Sequence, residues 1–211
     1  MKCLIIGGNR FVGLRLALLL EQMAGCELHI LNRTGQSPHC RSATIHKGDR
    51  RLIESSHLDK DWDLVFDFAA YTQADAESAL RFFKSVKRYI FISTCSVYDS
   101  GPNLLESAFN PLHFDLSQTP LGDYQDGKRR VEAVFARQNQ MPVLAIRLPY
   151  VLGPDDYTHR LGFHVERVWR NEPIFIPSLH TKFSMIHSQD AAEAILSSSN
   201  QPKLVGALNV A

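Results

Sequence analysis

The fold of this chain is decided by the stretch Cys3-Leu4-Ile5-Ile6-Gly7-Gly8-Asn9-Arg10-Phe11-Val12-Gly13 near its start. Four apolar residues lead into a glycine-rich turn, and a leucine-rich segment over residues 14–23 follows, which predicts a buried strand, a tight turn and a helix. Gly7 can adopt backbone angles that a side chain forbids, and Gly13 lets the helix lie close to the strand. Amide groups at the start of such a helix, together with the helix dipole, favour an anion above the turn.

This turn departs from the usual dinucleotide-binding pattern at one position. The spacing G-x-x-x-x-x-G from Gly7 to Gly13 is that of a turn that holds a dinucleotide pyrophosphate, but Arg10 stands where the pattern has its middle glycine. The turn alone therefore leaves two interpretations open, a cofactor-binding turn and a glycine-rich turn without a ligand.

Composition and charge are those of an ordinary globular chain. Of 211 residues, 45% are hydrophobic and 21% charged, and the formal net charge of +1 gives no global field that favours nucleic acid or a membrane. No apolar run approaches the ~20 residues that span a bilayer. Met1-Lys2 leads directly into a strand, so we expect a cytoplasmic protein without a signal peptide. Four cysteines without a C-x-x-C pair favour reduced thiols, and nine histidines without ligand spacing predict no metal site.

Strand and helix patterns alternate over residues 1–149. We predict strands at 3–6, 26–31, 43–46, 64–68, 88–93 and 143–147, helices at 14–23, 72–86 and 124–138, and a polar helical segment ending near residue 60. This alternation predicts an α/β fold, a Rossmann-type doubly wound parallel sheet with helices on both faces. The aperiodic segment 100–122 is expected to be a functional loop.

We divide the chain into two parts. Residues 1–150 form the predicted dinucleotide-binding Rossmann domain. Residues 151–211 form a remainder that partly returns to the sheet and partly makes a small, incomplete substrate lobe. A short helix in this remainder has a capping pattern at Asp190 and Glu193.

A tyrosine and a lysine have the spacing Y-x-x-x-K in residues 124–128. On a helix, residues four apart lie on one face. An ammonium beside a phenol favours the phenolate, which predicts that Lys128 lowers the pKa of Tyr124 below its reference value of about 10. Such a tyrosine can exchange a proton with an alcohol or carbonyl near neutral pH. The alternative is a chance Tyr/Lys pair on the surface of a helix.

Hydroxyl groups follow the fifth predicted strand in residues 93–98, Ser-Thr-Cys-Ser-Val-Tyr. Ligands bind at the carboxyl edge of open parallel sheets, so Thr94 is placed to polarise a substrate oxygen beside Tyr124. The alternative is that Thr94 or Ser96 only satisfies backbone groups of its own loop.

Together these features resemble one family, the extended short-chain dehydrogenase/reductases, also called NAD-dependent epimerase/dehydratases. The glycine turn matches G-G-x-x-F-x-G, residues 93–98 match S-[ST]-x-x-V-Y, and Tyr124 with Lys128 matches the catalytic pair. Residues 147–154 resemble R-x-x-x-V-x-G-P, and residues 183–192 resemble F-x-x-I-H-V-x-D-x-A. The resemblance covers essentially the whole chain.

The resemblance implies roles for particular residues. Tyr124 would be the acid/base, Lys128 would lower its pKa and bind the nicotinamide ribose, and Thr94 would orient the substrate oxygen. The pyrophosphate would be surrounded by Gly7, Gly8, Asn9, Arg10, Phe11, Val12 and Gly13. Other parts of the cofactor would contact Asn32, Arg33, Asp49, Phe68, Ala69, Ala70 and Pro149.

The end of the second predicted strand favours NADP(H) over NAD(H). A carboxylate there would accept the ribose hydroxyls of the adenosine and repel a 2′-phosphate, whereas this chain has Asn32 and Arg33. Asn32 removes that repulsion, and Arg33 or Arg10 can pair with the phosphate through a charge-assisted fork. The alternative is that both arginines are solvated surface residues.

We therefore expect an NAD(P)-dependent epimerase/dehydratase-like oxidoreductase that transfers a hydride to or from a small, sugar-nucleotide-like substrate, and the resemblance suggests a homodimer. One alternative, a non-catalytic NAD(P)-binding regulatory module, is motivated by Arg10 and by family members that usually continue further. Another is an RNA-binding relative, because chloroplast stem-loop RNA-binding endoribonucleases share the form G-G-x-R-F-x-G. A net charge of +1 gives that alternative little attraction to phosphate.

Overall fold

A computed structural model of the chain describes residues 1–55, 58, 61–176, 178 and 180–211. Within these ranges the strands are β1 (Lys2–Ile6), β2 (Glu27–Asn32), β3 (Thr44–Lys47), β4 (Asp61–Asp67), β5 (Ser85–Thr94), β6 (Val143–Leu148), β7 (Tyr150–Leu152), β8 (Met185–His187) and β9 (Gly206–Asn209). The α-helices are α1 (Phe11–Glu21), α2 (Gln73–Phe82), α3 (Tyr124–Ala136), α4 (Arg160–Trp169) and α5 (Ser188–Ser199).

Seven of these strands form one parallel sheet in the order β3-β2-β1-β4-β5-β6-β9, and β7 pairs with β8 in a separate parallel ladder. The order 3-2-1-4-5-6 is that of the doubly wound dinucleotide-binding fold, so the predicted fold class is confirmed. The direction of winding reverses between β1 and β4. A crevice therefore opens at the carboxyl ends of the strands, where open sheets of this kind bind ligands.

Successive residues of each strand pack on opposite faces of the sheet. On β1, Cys3 and Ile5 join the core that includes α1 and α5, whereas Leu4 and Ile6 join the core that includes α2 and α3. None of the four is more than 1% exposed. Burial on both faces explains why the strands have continuous apolar runs in the sequence instead of alternating patterns.

The first helix lies close to the backbone of the glycine turn that follows β1. An added Cβ at Gly13 would lie 2.8 Å from the Cα of Gly8, and an added Cβ at Gly8 would lie 2.4 Å from Cγ2 of Ile5. The obstacle at Gly13 is backbone, which cannot move aside as a flexible side chain does. Gly13 therefore allows α1 to lie close to the turn at the end of β1, whereas the prediction placed this close approach at the strand itself.

The second helix is shorter than the sequence predicts. It ends at Phe82 and not at residue 86, because Phe83 takes an extended backbone with ψ of 116°. The ring of Phe83 is buried 5.7 Å from that of Tyr89, centroid to centroid. β5 consequently begins at Ser85, three residues earlier than predicted. Burial of two consecutive aromatic side chains here outweighs the helical pattern.

The last part of the chain also departs from the prediction. α4 lies in a segment with no predicted helix, and α5 begins at Ser188. Its cap is His187, whose Nδ1 accepts a hydrogen bond from the amide of Gln189 at 3.3 Å, so the expected cap at Asp190 is wrong. β9 pairs with β6 and extends the main sheet. The boundary at residue 150 stays a prediction.

The segment before β4 is only partly described. A 3₁₀ helix occupies Arg50–Ser55, where the sequence predicts the start of a polar helical segment. The rest of that predicted segment includes residues 56, 57, 59 and 60, which lie outside the described residues. In the part of the chain that the structure describes, no helix combines the length and apolar character needed to cross a bilayer.

A buried arginine anchors the long segment that follows β5. Arg147 on β6 is fully buried and pairs with Glu132 of α3 at 2.6 Å. Its guanidinium also donates to the carbonyl oxygens of Glu106 and Phe109, at 2.8 and 3.1 Å. Oε1 of Glu106 in turn accepts from the amide of Asn209 on β9 at 2.9 Å. The long predicted loop is therefore attached to the interior of the sheet.

We expect Gly13→Ala to lower the free energy of unfolding by about 1–3 kcal/mol, because the added methyl group overlaps the backbone of Gly8. Gly162 is a matched control, since it is also the third residue of a helix, and an added Cβ there meets its nearest atom, Nδ1 of His159, at 3.5 Å. Gly162→Ala should leave stability unchanged or raise it by up to about 1 kcal/mol. Urea denaturation measures both, and equal stability of the two variants would contradict the close contact.

Candidate functional site

A crevice of about 1830 Å³ runs along the carboxyl edge of the sheet. It is larger than ordinary small-ligand pockets of about 300–1,000 Å³. Most of the predicted site residues line it, namely Gly7, Asn9, Arg10, Phe11, Val12, Gly13, Asn32, Arg33, Asp49, Phe68, Ala69, Thr94, Tyr124, Lys128 and Pro149. Gly8 and Ala70 lie beneath the lining: Gly8 packs against Ile5, and the carbonyl of Ala70 accepts a hydrogen bond from Lys128.

The glycine turn presents the start of α1 to the crevice without a side-chain cap. Gly7 has a φ of +84°, a conformation that favours glycine. Arg10 directly precedes α1 but makes no capping hydrogen bond, and the first turn of α1 carries no acidic residue. The guanidinium of Arg10 lies over the ring of Tyr157 instead, 5.7 Å from its centroid. The helix dipole at this point favours an anion.

The side chain of Asn32 is hydrogen-bonded to the glycine turn and to the turn that follows β2. Its amide nitrogen donates to Oδ1 of Asn9 at 3.0 Å and to the carbonyl of Gln36 at 3.1 Å. Its Oδ1 accepts from the amide of Gly35 at 2.7 Å. The side chain therefore shapes the wall of the crevice and brings no charge to it. The neighbouring Arg33 is exposed and lines the crevice.

Three exposed arginines, Arg10, Arg33 and Arg51, line the crevice after β1, β2 and β3 respectively. These strands are neighbours in the sheet, so the arginines belong to the same end of the crevice. Asp49 is also at this end, and its Oδ1 accepts from the amide of Arg51 at 2.8 Å. Guanidinium groups bind phosphate in forked, charge-assisted hydrogen bonds, so this end of the crevice suits a phosphate.

Tyr124 and Thr94 meet inside the crevice. Tyr124 is the first residue of α3, whose cap Asp123 accepts from the amide of Asp126 at 2.7 Å. Thr94 ends β5, and its hydroxyl lowers the pKa of the nearby Tyr124 phenol while it donates to Oγ of Ser96 at 3.2 Å. The same hydroxyl accepts from the amide of Ser96 at 3.1 Å. Thr94 thus forms hydrogen bonds within its own turn and also lies close enough to Tyr124 to affect its pKa.

Lys128 is buried beneath the crevice and links α3 to β5 and to the turn after β4. It is 2% exposed, and its Nζ donates to the carbonyls of Ala70 and Ile92, both at 2.9 Å. The ring centroids of Tyr71 and Phe91 lie 4.4 and 4.7 Å from Nζ. An ammonium has three N–H donors, so the two carbonyls leave one donor for a ligand.

The pKa of Tyr124 differs from the sequence prediction. Partial burial is the largest influence and raises the pKa above its usual value, although the hydroxyl of Thr94 and the charge of Arg160 lower it. Lys128 does not depress this pKa, because its ammonium lies 5.8 Å from the ring centroid and is held by backbone carbonyls. The expectation that the lysine lowers the pKa of the phenol is therefore wrong for this structure.

The lysine itself is strongly affected by its surroundings. Burial lowers the pKa of Lys128 to about 8, although Asp67, Asp75 and Glu132 attract the ammonium and raise it. A buried amine loses the hydration that stabilises its charge, and only partners in the protein replace it. The charge of Lys128 therefore depends on the groups that surround it.

A buried acid fixes the backbone that follows β4. Oδ2 of Asp67 accepts from Nε of Arg50 at 2.9 Å and from the hydroxyl of Tyr89 at 2.5 Å, and its Oδ1 accepts from the amide of Ala69 at 2.8 Å. A buried carboxylate is costly unless it is paired, and Asp67 is 0% exposed. Sequence reasoning missed this network because its members are far apart in the chain.

Sequence reasoning also missed several side chains that line the crevice. Tyr71 directly follows the predicted residue Ala70, and this position was the one signal that could have found it. Tyr157 and Arg160 come from the segment after β7, which has no clear pattern. The far end of the crevice is lined by Tyr150, His180, Lys182, Phe183 and Ser184.

Comparisons with known proteins agree with this architecture. The model of the NAD dependent epimerase/dehydratase family matches residues 76–211. The chain is 27% identical over 217 residues to the chloroplast stem-loop binding protein of 41 kDa b from Arabidopsis thaliana, a match that covers 92% of this chain and 54% of that protein. The chain therefore spans about half the length of this curated relative.

Several solved structures share the fold. An epimerase from Methanothermobacter thermautotrophicus has a TM-score of 0.77 at 19% identity, covering 99% of this chain and 71% of that one. The enzyme WbmH from Bordetella bronchiseptica, in complex with NAD+, has a TM-score of 0.74 at 19% identity, covering 100% and 75%. UDP-glucuronic acid 4-epimerase from Bacillus cereus, in complex with NAD, has a TM-score of 0.72 at 19% identity, covering 100% and 76%. Identities this low show the fold alone.

The buried ammonium predicts a pH dependence of stability. The pKa of Lys128 is about 8 in the folded protein, below the value of about 10.4 for an unfolded chain. Between these values the unfolded state binds more protons at this site, so the contribution of Lys128 to the free energy of unfolding rises with pH. We expect the free energy of unfolding of the wild type, measured relative to that of Lys128→Met by urea denaturation, to rise by about 2 kcal/mol from about pH 8 to about pH 10. A difference that is flat or falls would rule out a lowered pKa.

Proposed function

This chain belongs to the NAD dependent epimerase/dehydratase family, and on that premise we propose that it is an NAD(P)-dependent oxidoreductase of the epimerase/dehydratase type. In this proposal a hydride moves to or from a small, sugar-nucleotide-like substrate. One observation carries the proposal: Thr94, Tyr124 and Lys128 lie in the same crevice as the glycine turn. The structural neighbour from Bacillus cereus, a UDP-glucuronic acid 4-epimerase, supports the substrate class.

The residues of the crevice fit a nicotinamide dinucleotide. The start of α1 lacks a side-chain cap, and Gly7 and Asn9 beside it would hold the pyrophosphate. Lys128 has one N–H donor left for a ribose hydroxyl after its two carbonyls are satisfied. When bound, the nicotinamide ring supplies the acceptor or donor of the hydride, while the protein supplies position and a proton.

Tyr124 holds the proton in this proposal. Because its pKa is raised, the side chain is a neutral phenol at neutral pH and can donate to a substrate oxygen. Once the proton has left, the nearby hydroxyl of Thr94 and the positive charge of Arg160 favour the phenolate.

We further propose that the protein prefers NADP(H) to NAD(H). The end of β2 carries Asn32, whose amide is hydrogen-bonded to the following turn and brings no negative charge. Arg10 and Arg33 are exposed at the same end of the crevice. A 2′-phosphate there meets no carboxylate from the end of β2 and gains a guanidinium partner.

Titration with NADPH and with NADH, followed by thermal shift, tests the cofactor and its phosphate. We expect NADPH to bind about tenfold more tightly than NADH, and Arg33→Ser to lose about tenfold in affinity for NADPH with little change for NADH. Lys84→Ser is the matched control, because Lys84 is an exposed cation just before β5, at the opposite edge of the sheet. It should change neither affinity.

Two outcomes of this titration contradict parts of the proposal. Equal affinity of the wild type for NADPH and NADH removes the preference for the phosphate. If neither nucleotide stabilises the wild type, the proposal that the protein binds NAD(P) is wrong, and the proposed reaction is wrong with it.

The role of Tyr124 is tested by Tyr124→Phe, assayed with UDP- and dTDP-sugars by chromatography of the sugar-nucleotide products, and by nicotinamide absorbance for net oxidation or reduction. We expect turnover to fall by at least about 100-fold, because the variant has no proton to transfer, while NADPH affinity changes by less than about twofold. Full turnover in Tyr124→Phe would end the catalytic assignment. NADPH binding with no turnover of any sugar nucleotide by the wild type would favour a regulatory module instead.

A second candidate function is RNA binding. It is favoured by the Arabidopsis thaliana relative, a stem-loop binding protein that is 27% identical over 92% of this chain. The exposed Arg10, Arg33 and Arg51 provide cations at one end of the crevice. Its test is the same thermal-shift assay with a stem-loop RNA at low and high salt, since phosphate contacts make binding steeply salt-dependent. RNA binding without NADPH binding would replace the first proposal.

A further inference from the structure

Lys128 has two tyrosine neighbours, and Tyr71 is the nearer. The ring centroid of Tyr71 lies 4.4 Å from Nζ of Lys128, whereas that of Tyr124 lies 5.8 Å away. The two ring centroids are 6.2 Å apart. Both rings are about half exposed and line the same crevice. The sequence pattern pairs Lys128 with Tyr124, but the closest phenol ring comes from the turn after β4.

The backbone around Tyr71 is held from several sides. Its amide donates to Oδ2 of Asp75 at 2.9 Å. The preceding carbonyl, that of Ala70, accepts from Nζ of Lys128 at 2.9 Å. An added Cβ at Gly127 would lie 2.3 Å from the carbonyl oxygen of Tyr71. The glycine inside the Y-x-x-x-K segment is therefore what allows α3 to lie directly against the backbone of Tyr71.

The nearest partners of the Lys128 ammonium are uncharged. Two backbone carbonyls accept hydrogen bonds from its ammonium, and the rings of Tyr71 and Phe91 lie over it. The carboxylates that attract it belong to Asp67 on β4, Asp75 on α2 and Glu132 on α3, and they act at longer range. The face of an aromatic ring attracts a cation, and the attraction grows when water is excluded.

We propose that Tyr71 is a positioning residue of this site, whose ring holds the ammonium of Lys128 in its charged form beside Tyr124. Burial raises the pKa of Tyr71 to about 12, so its ring stays neutral over the range in which Lys128 titrates. The contact with Lys128 stands on the geometry alone. Its consequence for cofactor binding rests on the proposed function.

The contact is tested by titrating Lys128 in the protein with ¹³C-labelled lysine, the resonance being assigned by its loss in Lys128→Arg. Tyr71→Phe keeps the aromatic face and should titrate like the wild type, with a midpoint near the pKa of about 8. Replacing residue 71 by 3,4,5-trifluorophenylalanine keeps the shape but weakens the negative face of the ring. We expect this variant to lower the midpoint by about 0.5 pH unit.

The fluorinated variant isolates the ring because the facing groups Asp67, Asp75, Glu132 and Tyr124 are unchanged. A midpoint equal to that of Tyr71→Phe, or higher, overturns the proposal. Fluorination at Tyr150 is the matched control, since that tyrosine is also about half exposed in the crevice but packs edge-to-face against Phe183, at 5.3 Å between centroids. It should leave the Lys128 midpoint unchanged.

NADPH titrations across pH separate this proposal from the proposed function. If Lys128 donates to the cofactor, affinity falls as pH rises through its midpoint, and the fluorinated variant moves that fall to lower pH by the same amount. A shifted lysine midpoint with no NADPH binding rejects the proposed function and leaves the role of Tyr71 intact. NADPH binding with the same pH profile in every variant rejects the role of Tyr71 and leaves the proposed function intact.

Discussion

Two helices reach the carboxyl edge of the sheet at distances that only glycine permits, and the crevice depends on both contacts. Gly13 of α1 lies against the backbone of Gly8, and Gly127 of α3 lies against the carbonyl of Tyr71. The first contact brings an uncapped helix start to the edge, and the second brings Tyr124 and the lysine that follows Gly127. Hydrogen bonds act over about 3 Å, so a small outward shift of either helix separates the groups that must meet.

Buried charges make the floor of this crevice rigid. Asp67 pairs with Arg50, and Glu132 pairs with Arg147, with every one of these side chains close to fully buried. Such pairs contribute little net stability compared with apolar residues, but breaking one leaves an uncompensated charge. Moving these side chains therefore costs much free energy, and this holds in place the backbone groups bound to them, such as the amide of Ala69.

Much of the fold was predictable because its signals are local. Buried parallel strands appear as apolar runs, and α3 begins at Tyr124, as the sequence predicts. Thr72 also caps α2 through a reciprocal pair of hydrogen bonds with Asp75. A threonine followed three residues later by an acid is a sequence pattern that indicates such a helix start. The alternation of strands and helices implies this strand order, and the strand order places the glycine turn and Tyr124 at the same carboxyl edge of the sheet.

What escaped prediction depends on partners far away in the sequence or on unusual backbone. The pKa of Tyr124 follows from its burial, which no spacing reveals. α4 lies between two residues with positive φ, His159 at +52° and Asn171 at +58°. Because neither is a glycine, the sequence does not mark the boundaries of this helix. The early end of α2 reflects packing of Phe83 on Tyr89, a contact made only once β5 is in place.

The anchoring of the long loop by Arg147 has a consequence for the movements open to this molecule. The loop carbonyls of Glu106 and Phe109 share one guanidinium with Glu132, inside the sheet. Lifting the loop leaves buried N–H donors of the Arg147 guanidinium without their carbonyl acceptors, so that side of the crevice does not fluctuate as an independent flap. It opens together with β6 and β9, as one cooperative unit whose amide protons exchange on the timescale of the core.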